Sequence, residues 1–186
     1  MKPSIARPWL SLLLITLVFS GCELLDETDD VQFTTDFELP VPFVVDEDAD
    51  VPGNPYTSFN SSIEAARDPE YQKYKDRVKH IVVNEIKYII SEFVADVPVT
   101  LTSGEAKFFA KDQTVNDAVI ASVSNVTIAD GSGTLEASAE VLETIANIVL
   151  RDGEIHVVSV ANISDAPCSF KIKVTLNVTV TANALE

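Results

Sequence analysis

The carboxy-terminal segment 170–181 alternates strictly between large apolar residues and polar ones. The apolar positions are Phe170, Ile172, Val174, Leu176, Val178 and Val180. Because successive side chains of a strand point to opposite faces, this period of two predicts a strand with one buried and one solvent-facing side. Such a strand is typical of an antiparallel sheet, and a register shift of one residue would bury its polar set.

The apolar run from Ile155 to Asn162 precedes this strand, and Ser164-Asp-Ala-Pro167 separates the two. Serine, aspartate and proline between two strand-like runs are typical turn residues. We therefore predict that the two runs pair as a long hairpin.

A helix is predicted over residues 135–150. Its apolar residues recur at helical spacing, and its glutamates lie on other faces. They are Leu135, Ala139, Leu142, Ile145, Ala146 and Val149. Thr134 can cap its start, and Gly153 can close it in the left-handed conformation. A second helix is predicted from Pro69 to about Lys79, with Asp68 as its N-cap.

Residues 80–94 fit two structures. Their apolar positions follow a helical stripe, but most of them are β-branched isoleucine or valine, which favours a strand buried on both faces. We predict a strand, because the segments 97–101 and 106–110 that follow read as strands joined by a hairpin at Ser103-Gly104. A long helix over 69–94 is the alternative.

Further strands are predicted at both ends of the remaining chain. Residues 33–45 suit an edge or interrupted strand, because Pro40 and Pro42 lack amide donors. Residues 118–129 suit a strand with a bulge near Ser124-Asn125, followed by a turn at 130–133. Ser61 or Ser62 is predicted to cap a short helical turn ending at Ala66. The fold class is therefore mainly β (α+β), an antiparallel β-sandwich-like domain with one or two amphipathic helices packed on it.

The amino terminus has the layout of a secretory signal peptide. Lys2 and Arg7 precede an uncharged apolar run from Trp9 to Phe19, and the small residues Ser20 and Gly21 lead directly into Cys22. The apolar run is too short for a stable membrane span. An ordinary secretory signal, with Cys22 as a thiol of the mature domain, is one interpretation.

The Ser20-Gly21-Cys22 ending resembles the lipobox of bacterial lipoproteins, with Phe19 where leucine is usual in that family. The resemblance implies that the chain is cut before Cys22 and that Cys22 carries a diacylglyceryl group. Residues 1–21 are then the signal peptide, 22–32 an acidic lipid-anchored tether and 33–186 a single β-rich domain. The implied location is the cell envelope, with the outer membrane as the expected site.

The negative net charge of the chain limits the kinds of molecule that it can bind. Loss of residues 1–21 removes two basic residues from a chain of formal charge −16 and leaves 165 residues with a charge of −18. Nucleic acid repels so acidic a domain, so we expect no nucleic-acid partner. From Cys22 to Ala66 there are twelve acidic residues and no lysine or arginine. The part nearest the lipid, from Glu23 to Asp30, is predicted to be a spacer that keeps the domain off the membrane; it also resembles surface-export signals of Bacteroidota lipoproteins.

Five of the remaining basic residues lie between Arg67 and Lys79. We interpret them as the solvated face of the predicted helix. Anionic headgroups or the acidic amino-terminal stretch are alternative partners.

Asp46, Asp48 and Asp50 alternate along the chain as the ligands of some calcium loops do. The full signature needs glycine at its sixth position and glutamate at its twelfth, where this chain has Val51 and Thr57. An acidic loop is therefore predicted, with weak calcium binding as the alternative.

No catalytic residue or cofactor is expected. His80 and His156 lie singly in apolar runs, far from zinc-ligand spacing, and no nucleophile elbow or phosphate-binding glycine loop occurs. A pair of carboxylates for glycoside hydrolysis is compatible with the many acids, but the mature chain has no tryptophan for a carbohydrate platform. Cys168 has no basic cluster nearby to activate it and is predicted to be a small buried residue.

Two functions of different class follow. The first is a non-catalytic, lipid-anchored module that binds an envelope protein partner or supports envelope structure. The second is a carrier that holds a hydrophobic ligand or lipid between the sheet and the helix 135–150. A filled core favours the first, and a large apolar cavity favours the second.

Overall fold

The computed structural model describes residues 29–40, 42–47, 56–57, 61–165 and 167–184. The predicted signal peptide, Cys22 and most of the predicted tether lie outside this part of the chain. Its strands are β1 (Asp30–Glu38), β2 (Phe43–Glu47), β3 (Tyr56–Thr57), β4 (Ser61–Glu64), β5 (Val78–Ala95), β6 (Thr100–Phe109), β7 (Val119–Thr127), β8 (Gly131–Leu135), β9 (Glu154–Ile163) and β10 (Cys168–Asn183). Its helices are α1 (Pro69–Tyr74) and α2 (Ala139–Asp152), and single 3₁₀ turns cover Ala65–Arg67, Lys75–Arg77 and Val115–Asp117.

The strands form two antiparallel five-stranded sheets. Sheet A has the order β1-β10-β5-β8, with β2 also paired to β10. Sheet B has the order β3-β9-β6-β7, with β4 also paired to β9. One contiguous apolar core lies between them and includes buried residues from both sheets and from α2. The predicted fold class, a mainly β antiparallel sandwich with helices, is confirmed.

Strand β10 lies at the centre of sheet A, and its predicted alternation is confirmed. The six apolar residues from Phe170 to Val180 are buried, because each side chain points towards sheet B. Leu176 is fully buried and lies opposite Ile86 on β5 and Phe37 on β1. The predicted strand at 80–94 is also confirmed, since β5 pairs with β10 along most of its length. Its predicted burial on both faces is wrong, because only alternate residues are buried and Val82 and Ile89 are 43% and 40% exposed.

The predicted hairpin between the runs 155–162 and 170–181 is wrong, because β9 and β10 lie in different sheets. At the link between them, the Ser164 amide donates to the Thr100 carbonyl at 2.8 Å. The Ser164 hydroxyl in turn accepts from the Thr100 amide at 2.9 Å. These bonds hold the end of β9 against the start of β6, and the chain then crosses to sheet A.

Two predicted turns are strands instead. Ser103 and Gly104 lie inside β6, where a Cβ on Gly104 would come within 3.0 Å of Leu101 Cδ2. Gly131 and Gly133 lie inside β8, where Gly133 is opposite Tyr88. Glycine at 104 and 133 is explained by close packing rather than by chain reversal.

The bulge predicted near Ser124-Asn125 is wrong, because β7 has no extra residue there; the strand instead has a single residue of positive φ, Asn125 at +56°. The buried side of β7 changes there, from Ala121 before it to Ile128 just beyond the strand. The register with β6 is kept across this point. The register shift lies instead on the other side of β6, between Leu101 and Ser103 in its pairing with β9.

The helices differ from the predictions mainly at their ends. In α1, Asp68 caps the amide of Tyr71 and Pro69 occupies the first turn as predicted, but the helix ends at Tyr74. In α2, Ser138 rather than Thr134 is the N-cap, and Gly153 closes the helix at φ +70° as predicted. The turn predicted to start at Ser61 or Ser62 begins only after β4, at Ala65.

Helix α2 and one isolated bridge join the two sheets along one side of the sandwich. The helix contacts β5 of sheet A and β6, β7 and β9 of sheet B, and it buries Ile145, Ala146, Ile148 and Val149. Ser122 of β7 exchanges two backbone hydrogen bonds with Glu136, at 2.9 and 2.6 Å. This side of the sandwich is therefore closed.

Candidate functional site

A groove of about 370 Å³ opens on the opposite side, where β1 ends. Strand β1 pairs with β10 up to Glu38, and β2 resumes the pairing at Phe43. Pro40 lies in the gap between them, and proline cannot donate a ladder hydrogen bond. We call this concavity the edge groove. Its lining residues are Asp36, Phe37, Glu38, Leu39, Pro40, Glu64, Arg67, Asp68, Pro69 and Lys173.

The apolar part of the lining comes from the end of β1. Phe37 and Leu39 are 1% and 0% exposed, and the Leu39 amide donates to the Val174 carbonyl at 3.0 Å. The Phe37 ring packs edge to face on Tyr71 of α1, with centroids 5.3 Å apart. This floor is therefore part of the core and is held in place from below by α1.

The wall opposite β1 is the segment that enters α1. The Asp68 carboxylate accepts from the Tyr71 amide at 2.7 Å through Oδ1 and from the Thr35 hydroxyl at 2.6 Å through Oδ2. One side chain thus caps α1 and ties the segment to β1. Arg67 pairs with Glu64 at 3.1 Å at the outer rim.

The wall on the sheet A side carries charged residues of β1 and β10. Lys173 pairs with Glu38 across the strands. Asp36 accepts from Asn177 Nδ2 at 2.6 Å, and Lys87 Nζ lies 3.8 Å from its Oδ1. Four carboxylates and two cations therefore line the groove, and Lys87 lies beside Asp36 as a third cation.

Thr175, opposite Glu38 in the register, is only 3% exposed, although its parity places it on the outer face of sheet A. Among the residues that the structure describes, its hydroxyl is the one buried side-chain polar atom without a hydrogen-bond partner. Buried polar atoms are usually paired, so the Thr175 hydroxyl is an exception on the outer face of β10.

Burial raises the pKa of the Tyr71 phenol above its usual value of 10.0, and the nearby negative charge of Asp76 raises it further. The phenol therefore stays neutral beneath the groove at neutral pH. The volume of the groove and its lining of charged and apolar residues make it the candidate binding site among the described residues.

Most of the site residues predicted from sequence lie elsewhere. Cys22, Asp48 and Asp50 are outside the described residues, and for Asp46 only the backbone, in β2, is described. Across the described ranges, no group of three or more histidine, cysteine or acidic side chains could hold a metal ion. His80 is exposed on β5, and His156 stacks on Phe109 with centroids 5.6 Å apart.

The predicted burial of Cys168 is confirmed, since it is 4% exposed at the start of β10. The basic residues near α1 divide between two places. Arg67 lines the groove, whereas Lys79 pairs with Asp30 at the start of β1, at 2.7 Å. Arg77 donates to the Ala184 carbonyl at 3.1 Å and lies over the Tyr74 ring. The structure therefore does not join these basic residues into one surface.

Asp68 as a helix cap and Pro40 as a strand interruption are both predicted from the sequence, but their proximity in the fold is not. The groove forms because β1 of sheet A and the segment after β4 of sheet B lie side by side, which a local pattern does not encode. The interruption of the predicted strand at Pro40 was the sequence feature from which a groove could have been predicted.

A small cavity lies between the two sheets. A pocket lined by residues that include Tyr88, Leu101, Val123 and Leu135 has a cavity volume of about 20 Å³. That is room for about one water molecule.

Within the described part of the chain, no helix has both the length and the apolar character needed to cross a membrane.

Comparison with known proteins gives no family. No protein-family model matches the sequence, and no curated protein matches it. Solved structures with a similar course of the chain include one from Desmodium yellow mottle tymovirus, 11% identical, covering 100% of this chain and 95% of that chain at a TM-score of 0.37. A decameric BFDV capsid protein is 10% identical and covers 81% of this chain and 98% of that chain at a TM-score of 0.38. Similarity this low carries no argument about function.

Proposed function

We propose that this protein is an exported lipoprotein, held in the cell envelope by a lipid on Cys22, whose β-sandwich is a non-catalytic binding or structural module. The observation that carries the proposal is the order of basic residues, apolar run, Ser20-Gly21 and Cys22 at the amino terminus. Two acyl chains on one residue are enough for stable membrane anchoring. The outer membrane is the expected location.

The interior supports a module in preference to a carrier. Ligand pockets of drug-sized molecules occupy roughly 300–1,000 Å³. The cavity of about 20 Å³ between the sheets is far below that. A carrier of a hydrophobic ligand or lipid would therefore have to open its core, whereas a module presents its surface as it stands.

Intact mass of the membrane fraction tests the anchor. We expect a mature chain that begins at Cys22 and carries a diacylglyceryl group, and we expect the Cys22→Ala variant to lose both the lipid mass and the cleavage before residue 22. Cys168→Ala is the matched control, because it removes the other cysteine of the chain and should leave the lipid mass unchanged. A mature chain with an unmodified Cys22, or with another first residue, would refute the proposal.

A further inference from the structure

We propose that the end of the sandwich where β1 begins faces the membrane, and that Lys75 and Arg77 bind anionic phospholipid headgroups there. This inference rests on the proposed lipid anchor at Cys22 and names the surface and the class of lipid that meet. We call this end of the sandwich the anchor end. It consists of the first residues of β1 and β5, the last residues of β10 and the 3₁₀ turn Lys75–Arg77.

The chain that leads from Cys22 reaches the sandwich at the anchor end. The Ala184 amide donates to the Asp29 carbonyl at 2.7 Å, and Arg77 Nη1 donates to the Ala184 carbonyl at 3.1 Å. The seven residues from Cys22 to Asp29 span at most about 25 Å, even when fully extended. A lipid on Cys22 therefore keeps Arg77 close to the membrane and raises the effective concentration of headgroups around it.

The anchor end holds the two basic side chains that lack a carboxylate partner. Every lysine and arginine after Cys22 lies within the described ranges. Among the described residues, all of them except Lys75 and Arg77 lie within ion-pair distance of a carboxylate. Lys75 is exposed, and the Arg77 guanidinium is held by the Lys73 carbonyl and over the Tyr74 ring. These two cations can therefore meet an anion without first breaking an ion pair.

The acidic residues next to the turn leave this charge in place. Asp30 pairs with Lys79 at 2.7 Å, and Asp76 is not within ion-pair distance of Lys75 or Arg77 in the part of the chain that the structure describes. Elsewhere the domain is strongly acidic, because the chain has 29 aspartates and glutamates against 13 lysines and arginines. An anionic membrane surface therefore repels most of the domain and attracts this turn.

Both side chains suit phosphate-bearing headgroups. The Arg77 guanidinium has five N–H donors in a planar fork, and its bonds to two carbonyls leave further donors for phosphate oxygens. The Lys75 ammonium adds a mobile point charge. Basic residues close to an anionic membrane surface each contribute about fivefold to binding, so two of them are enough to orient a domain that a lipid already holds nearby.

Energy transfer from a dye on the full lipoprotein to a headgroup-labelled lipid tests the orientation. Cys168 is 4% exposed and Cys22 carries the lipid in the proposed function, so a maleimide dye should react only with an added cysteine. His80→Cys places the dye at the anchor end, and Val97→Cys places it beyond the other end of β5, about 50 Å away. The protein is reconstituted in phosphatidylcholine vesicles with about 30% phosphatidylglycerol, which supplies the negative surface charge.

Energy transfer should be at least about twofold stronger from position 80 than from position 97 in these vesicles, because the anchor end faces the headgroups. The variant Lys75→Gln/Arg77→Gln should lower this ratio by about half, and so should vesicles of phosphatidylcholine alone. The matched control Lys107→Gln/Lys111→Gln removes the same charge from two lysines that are paired with carboxylates, and it should leave the ratio unchanged.

A ratio that does not depend on phosphatidylglycerol would overturn headgroup binding, and this comparison uses the unsubstituted turn, so it does not depend on how the variants fold. Equal ratios in the parent and in Lys75→Gln/Arg77→Gln would overturn it as well, because the length of the tether alone would then set the orientation. Labelling of the protein without an added cysteine would instead show an unmodified Cys22. Failure of the orientation is therefore distinguishable from failure of the anchor.

Discussion

On one side of β10 lies a single long strand, β5, and on the other side lie two short strands, β1 and β2, with a gap between them. The β5 side pairs from Ala95 opposite Cys168 to Val78 opposite Ala182. The β1–β2 side is interrupted between Glu38 and Phe43. The same central strand thus has one flank formed by a single strand, with three register shifts along it, and one broken flank divided between two strands. The groove lies on the broken flank.

The difference between the two flanks follows from the types of residue that they contain. β5 is rich in isoleucine and valine, which pack well on a pleated surface. The other flank contains Pro40 and Pro42, which cannot donate to the ladder. Continuous pairing produces a solid core, and interrupted pairing leaves a concavity whose charged residues are held by their neighbours. Stability and binding are therefore expected to depend on different flanks.

The largest expected effect on stability comes from Leu176, which lies opposite Ile86 on the β5 flank and opposite Phe37 on the β1–β2 flank. Leu176→Ala should lower the free energy of unfolding by roughly 2–5 kcal/mol, because it removes buried methyl groups and leaves a cavity in a filled core. Denaturant unfolding followed by circular dichroism measures the change.

Thr181→Ala on the outer face of the same strand is the control for Leu176→Ala and should change stability by less than about 0.5 kcal/mol. A loss below about 1 kcal/mol for Leu176→Ala would contradict the filled core. It would favour a carrier with room between its sheets.

The second largest effect on stability is expected at Gly133 of β8, which pairs with Tyr88 on the side of β5 that faces away from β10. A Cβ at position 133 would come within 2.5 Å of Tyr88 Cζ, so Gly133→Ala should force the ring or the strand to move. We expect a loss of about 1–3 kcal/mol in the free energy of unfolding, measured by denaturant titration.

Gly131→Ala is the control in the same strand, because the nearest atom to its Cβ would be the Ala129 carbonyl oxygen at 4.0 Å. It should be nearly neutral. Similar losses for both glycines would mean that strand propensity, and not the contact with Tyr88, requires glycine in β8.

The two flanks also differ in how far the sequence predicts them. The strand character of β10 and β5 follows from residue pattern, because a wet face or a β-branched run is encoded locally. The strand with which each of them pairs is not encoded locally. The predicted pairing of β9 with β10 failed because Ser164 bonds to Thr100 instead, and no pattern in the turn residues 164–167 distinguishes the two outcomes.

Close contacts explain the other errors. Gly104 and Gly133 have the residue type of turns, but each is required by a side chain that lies against it, Leu101 or Tyr88. For the candidate site, the Asp68 cap and the proline break could be predicted, whereas their juxtaposition depends on packing between the two sheets. The helix cap and the strand interruption were therefore predictable from nearby residues, whereas the position of one relative to the other in the fold was not.

The smallest effect tests the support of the broken flank, where Tyr71 packs under Phe37. Burial, with help from Asp76, raises the pKa of Tyr71 in the folded state above 10.0. As pH rises through about 10, the unfolded chain therefore releases this proton before the folded protein does, so the stability falls progressively until the folded phenol also ionises. We expect thermal unfolding between about pH 9 and 11 to show a downward slope that Tyr71→Phe reduces. If the slope is the same in the parent and in Tyr71→Phe, the phenol is not sequestered, and α1 does not hold the groove floor against the core as the contact with Phe37 indicates.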